Sequence, residues 1–183
     1  MFKNLIYKNK TILITGANSG LGKNMALNYA KAGGRIINLS RDISKMEVLN
    51  NNLNNINNLE NKFYPVDISN YKQVEIIKND IMKKKMIPDV IINNAAGNFL
   101  CPFDKLSNNG WNRIIDIVLN GNFNVTHLFG KELIKIKKPT VFLNITTTYT
   151  NTGSALVVPS AVAKSGVDAL MKSLTVEWGK HNI

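Results

Sequence analysis

Short apolar runs rich in β-branched residues recur along the chain, separated by longer stretches with helical spacing. The runs at 11–15, 35–40, 62–66, 89–93 and 140–145 read as strands. The stretches at 20–32, 42–58, 70–85, 108–137 and 158–180 read as helices. In the second of these, Met46, Leu49, Leu53, Ile56 and Leu59 form one apolar stripe through the Asn-rich tract 50–61, which makes a helix of it rather than a low-complexity coil. Pro88 and Pro139 punctuate the entries to the fourth and fifth strands. Continuous apolar strands alternating with helices predict an α/β fold, a doubly wound parallel sheet covered on both faces. In such a sheet the ligand crevice lies at the carboxyl ends of the strands.

That rule gives meaning to the segments following each strand. After the first comes TGANSGLG, 15–22. Gly16 can make the tight turn, Gly20 lets backbone approach a pyrophosphate, and Gly22 allows close packing of the helix whose N-terminus faces the anion. After the second come Ser40 and Arg41. A guanidinium there suits a ribose 2′-phosphate and favours NADP over NAD, the alternative being a solvated arginine at a helix start. After the third, Asp67 suits the adenine amino group or, equally, an N-cap for the next helix. Asn93 to Gly97 (NNAAG) follow the fourth strand, where small residues let a flat cofactor lie on backbone and Asn side chains can bind neighbouring strands together.

Composition changes this picture little. The formal net charge is +11, but the lysines are scattered, apart from Lys83, Lys84 and Lys85 near a helix end, and interleaved aromatics are missing, so no nucleic-acid partner is expected. No apolar run approaches the roughly 20 residues of a membrane span, so no membrane partner is expected. Cys101 is the single cysteine, which excludes an internal disulfide. No metal site is expected, and the start, MFKNLIYKNK, reads as neither a secretory nor a transit segment.

The TGANSGLG loop, the NNAAG stretch and Asn120 in the long helix resemble the short-chain dehydrogenase/reductase superfamily. The family's S-x12-Y-x3-K pattern is altered: Thr147 stands at the Ser position, Ser160 at the Tyr position, and Lys164 is retained. A serine hydroxyl is far less acidic than a phenol, so an ordinary carbonyl reductase would lack its proton donor. A phenol lies nearby at Tyr149. NNAAGNF (93–99), DIVLNG (116–121), ITTTY (145–149), GSALVVPSAVAKSGVDAL (153–170) and VEWGK (176–180) together resemble 2,4-dienoyl-CoA reductase. The resemblance implies a Rossmann fold and NADPH-dependent reduction of a 2,4-dienoyl-CoA to a 3-enoyl-CoA in fatty acid β-oxidation. It makes Tyr149, Lys164 and Asn98 catalytic. It assigns Gly16, Ala17, Asn18, Ser19, Gly20, Leu21, Arg41, Asp67, Asn94 and Lys164 to the cofactor, and Arg41, Asn98, Phe99 and Ser107 to the acyl-CoA. Ser69 replaces a basic substrate contact of the family.

The resemblance further implies a homo-oligomer, a tetramer, and a mitochondrial location. NNAAGNFLCP looks like the peroxisomal branch and Tyr149 like the mitochondrial one; a cytoplasmic location is the remaining alternative. Residues 1–183 are expected to form a single NADP-binding domain lacking the family's last strands, the N-terminal portion of such an enzyme, with an exposed apolar sheet edge. Two other functions fit the same residues: another short-chain enoyl-thioester or carbonyl reductase, or a non-catalytic dinucleotide-binding module.

Overall fold

The computed structural model describes residues 6–183. Five parallel strands form its sheet in the order β3-β2-β1-β4-β5: β1 (Thr11–Thr15), β2 (Arg35–Ser40), β3 (Lys62–Pro65), β4 (Val90–Asn93) and β5 (Val141–Asn144). All five residues of β1 are buried, as a central strand covered on both faces requires. The strand order reverses between β1 and β4, and the carboxyl ends of these two strands open the crevice.

The helices pack on both faces. Α1 (Gly20–Lys31) and α2 (Ile43–Asn54) cover one with Ala26, Ala30, Leu49 and Leu53, against Ile12, Ile14, Ile36 and Ile92. On the other, α3 (Tyr71–Lys83) brings Val74 and Ile81, and α5 (Gly121–Lys135) brings Val125, Leu128, Phe129 and Leu133, against Leu13, Ile37, Leu39 and Ile91. Burial of the larger of these side chains, each worth about 1.5–3 kcal/mol, fixes the face that every helix presents.

Local chemistry moves several boundaries from the sequence reading. Helix α2 stops four residues early because Asn57 turns its amide onto the carbonyls of Ala30 (3.0 Å) and Gly34 (3.4 Å), which ends the α1–β2 turn instead of extending a helix. The N-cap of α3 is Asn70, which accepts from the Gln73 N–H at 3.1 Å, so Asp67 does not cap that helix. The expected single helix at 108–137 is α4 (Asn108–Ile115), a π-helical turn at Asp116–Asn120, and α5. The wide turn ends where Gly121 packs on Ile68; a Cβ there would sit 2.8 Å from that side chain. Asn120 is exposed, donates to Asp116 Oδ1 at 2.9 Å and is not among the residues lining the crevice. A one-turn helix, α6 (Tyr149–Thr152), leads to the long α7 (Val158–Trp178).

Candidate active site

The crevice at the strand ends has a volume of about 880 Å³. Its first wall is the glycine loop. Gly16 has φ +68°, a left-handed turn that any side chain would strain, and its N–H donates to Leu39 O at 2.8 Å. A Cβ on Gly22 would fall 2.3 Å from Gly16 O, so the first turn of α1 folds directly onto the loop. Nothing lies within 4 Å of a Cβ on Gly20, which leaves open space at the start of α1, where unpaired N–H groups and the helix dipole favour an anion. These features fit the pyrophosphate of a dinucleotide.

Gly16, Asn18, Ser19, Gly20, Leu21, Arg41, Asp67, Asn94, Asn98, Tyr149 and Lys164 all line this one crevice. Ala17 does not: it is 0% exposed, and its N–H is held by Oδ1 of Asn38. Asn94 lines the wall as a strut, its amide donating to the carbonyls of Thr15 (3.0 Å) and Gly16 (3.3 Å). Asn93 is buried beneath it and donates to Thr126 and to Asn144, joining β4 to β5 and α5. Phe99 and Ser107 lie outside the crevice lining, both beside Gly110. Ser107 caps α4 by accepting from the Gly110 N–H at 3.1 Å, and Phe99 lies over Gly110 on the exposed lip.

Burial pushes the Asp67 carboxyl upward, but hydrogen bonds from the Ser69 hydroxyl and N–H and the charges of Arg41 and Arg113 outweigh it, leaving the group below the ordinary carboxylate value. Asp67 therefore enters the crevice as an ionised acceptor, on the same rim as the exposed Arg41.

At the opposite end, Ser160 and Lys164 stand one turn apart on α7, and the short α6 presents Tyr149 to them. The Tyr149 hydroxyl shares a hydrogen bond of 2.9 Å with Ser160 Oγ, which is 3% exposed. Lys164 is 7% exposed and donates to the carbonyl of Ile145. Burial pulls its pKa below the ordinary lysine value. Ser160 thus occupies the tyrosine position of the superfamily pattern as a partner for the phenol. The sequence carried no signal for that bond, nor for the Ile145 carbonyl, whose role is independent of its side chain. Lys45 also lines the crevice without any motif to mark it.

The model of the short chain dehydrogenase family matches residues 10–183. The chain is 36% identical over 178 residues to the "Probable 2,4-dienoyl-CoA reductase decr-1.2 [(3E)-enoyl-CoA-producing]" of Caenorhabditis elegans, a match covering 97% of this chain and 58% of that protein. It is 37% identical to the "Probable 2,4-dienoyl-CoA reductase [(2E)-enoyl-CoA-producing]" of Bacillus subtilis, over 93% of this chain and 66% of that protein. The crystal structure of a short chain dehydrogenase from Bacillus anthracis superposes with a TM-score of 0.89 at 38% identity, over 95% of this chain and 70% of that one. The chain therefore spans a little over half the length of the C. elegans relative.

Proposed function

The chain belongs to the short-chain dehydrogenase family, and from that premise we propose that residues 1–183 form the NADPH-binding domain of a 2,4-dienoyl-CoA reductase. The observation that carries the reading is the hydrogen bond between Tyr149 and Ser160 beside the buried Lys164. It puts a phenol on the crevice by a different route from the superfamily pattern. The dienoyl-CoA reductase names of relatives at 36% and 37% identity support it.

On this reading Gly16, Asn18, Ser19, Gly20 and Leu21 cradle the pyrophosphate, Arg41 meets the 2′-phosphate, and Asp67 accepts from the adenine amino group. A bound nicotinamide supplies the hydride. Lys164 binds its ribose, and burial at 7% exposure holds the ammonium to a narrow choice of partners. Tyr149 and Asn98 donate to the thioester oxygen, which gains negative charge as a hydride adds to the far end of the diene. The charge spreads as a dienolate, and donors already in place need no reorganisation. Protonation of the dienolate by water at its α-carbon gives the 3-enoyl-CoA. Phe99 and Ser107, on the outer lip, suit the acyl-CoA on its way in. The reaction belongs to the β-oxidation of unsaturated fatty acids, in a mitochondrion or peroxisome.

A substrate panel tests the assignment: NADPH oxidation with a 2,4-dienoyl-CoA, a 2-enoyl-CoA and a simple ketone. Turnover of the dienoyl thioester above the other two is expected. Preference for the ketone would assign a carbonyl reductase instead.

A further inference from the structure

Three hydrogen bonds tie the glycine loop to β2 and the turn that follows it. The Gly16 N–H donates to Leu39 O (2.8 Å), the Ala17 N–H to Asn38 Oδ1 (3.1 Å), and Asn18 Nδ2 to Asp42 O (3.2 Å). The first is backbone to backbone, and the third has the Asn18 side chain as donor to a backbone carbonyl. The middle one alone needs a side chain of β2 as its acceptor.

Asn38 is 0% exposed in β2, an interior strand flanked by β1 and β3, where an apolar residue is the ordinary choice. Its Oδ1 accepts a second hydrogen bond from Ser40 Oγ at 2.6 Å. Its Nδ2 is buried with no partner among the described residues. Turning the amide over would set the NH2 group against the Ala17 N–H, which can only donate, so that N–H fixes its orientation. A buried N–H left unpaired lowers stability. The oxygen of the same side chain is where a compensating benefit lies: it holds Ser40 of the crevice lining and the Ala17 N–H in the glycine loop.

We propose that Asn38 is a positioning residue for the dinucleotide, holding the Ala17 N–H so that the loop keeps the open turn between Gly16 and Gly20. This rests on the reading of the crevice as a dinucleotide site. The same oxygen takes the Ser40 proton inward, so Ser40, which lines the crevice, presents lone pairs to a ribose hydroxyl. Arg41 beside it carries the phosphate. Because the loop serves the pyrophosphate common to both nicotinamide nucleotides, losing Asn38 weakens NADPH and NADH alike.

The test is calorimetric titration of NADPH and of NADH into wild type, Asn38→Val and Asn38→Thr, with thermal unfolding of each without nucleotide. Valine suits a buried strand, and the threonine hydroxyl is one bond too short to reach Ala17. Both variants are expected to raise both Kd values about 5- to 10-fold, the size of one lost hydrogen bond. Melting temperatures should change little, because the unpaired Asn38 Nδ2 is gone while the Ala17 N–H loses its acceptor. Unchanged Kd values, with or without a fall in melting temperature, would overturn the proposal and make Asn38 a packing residue. Loss confined to NADPH would overturn it too, placing the effect at Arg41. If wild type binds neither nucleotide, the dinucleotide reading falls as well.

Discussion

Single side chains divide the crevice into two chemical ends, and each end has its own consequence. At the nucleotide end, Arg41 is exposed on the same rim as the ionised Asp67, close enough for its charge to help hold that carboxylate low. Arg41→Ala is expected to raise the Kd for NADPH by roughly 10- to 100-fold, the range of a lost charged hydrogen bond, and to leave NADH within about twofold. Equal losses for the two nucleotides, read by fluorescence titration, would remove Arg41 from the phosphate. At the reacting end, Ser160 touches only the hydroxyl of Tyr149 among the hydrogen bonds described. Ser160→Ala should therefore lower kcat by less than Tyr149→Phe does, with little change in KM for NADPH. The candidate catalytic residues were legible in the sequence as types: a lysine in motif and a phenol nearby. Their arrangement was not, because the Tyr149–Ser160 bond joins residues brought together only by the turn between α6 and α7. Ala17 shows the opposite failure. It sits inside the glycine motif, yet its N–H turns toward β2, and a motif says nothing about which way a peptide faces.

Elements were more legible than contacts, since strand runs and helix stripes are local patterns while boundaries depend on caps from distant residues. The π-helical turn at Asp116–Asn120 is the clearest case. Its residues have ordinary helical spacing, and the wider turn accompanies the close approach of Gly121 to Ile68, a residue far away in the chain. Gly22 makes a prediction about the α1 entry. With Gly16 O only 2.3 Å from a Cβ at that position, Gly22→Ala must displace either the loop or the helix. Destabilisation of about 1–3 kcal/mol in urea unfolding is expected, with loss of NADPH binding. Asp89 does similar work at the other edge of the sheet. It accepts from the Thr11 N–H (2.9 Å), Lys10 (3.2 Å) and Lys138 (2.7 Å), joining the entries of β1, β4 and β5. Burial raises its pKa, but these donors more than reverse that, and the folded value lies below the ordinary one. The unfolded carboxyl titrates near 3.9, so this contribution is complete above about pH 5 and is lost as pH falls through 4 toward the lower folded value. Asp89→Asn is expected to cost about 1–2 kcal/mol at neutral pH and to flatten the acid limb of a stability–pH curve. An unaltered limb would assign the acid sensitivity elsewhere.

Across the whole molecule, the sheet is well covered except at the edge strand β5, where Val141 and Leu143 on one face are 62% and 41% exposed. An apolar parallel edge of this kind recruits further strands. The chain is expected to associate with rising concentration, and Val141→Lys should shift light scattering toward the monomer. The fold, the crevice and the family were all readable from the alternation of strands and helices with the segments after each strand. What lay beyond that reading was the network of amides, Asn38, Asn57, Asn93 and Asn94, that locks the strand ends together. In a chain so rich in asparagine, sequence offers no way to tell structural amides from solvated ones. The central claim is that a tyrosine displaced from its superfamily position serves the reduction of a conjugated thioester. The most direct measurement is the rate of NADPH oxidation on adding a 2,4-dienoyl-CoA to the wild-type protein and to Tyr149→Phe. Turnover by wild type is expected, with a fall of about 100-fold or more in kcat for the variant and NADPH affinity retained. Equal rates from the two proteins would contradict it.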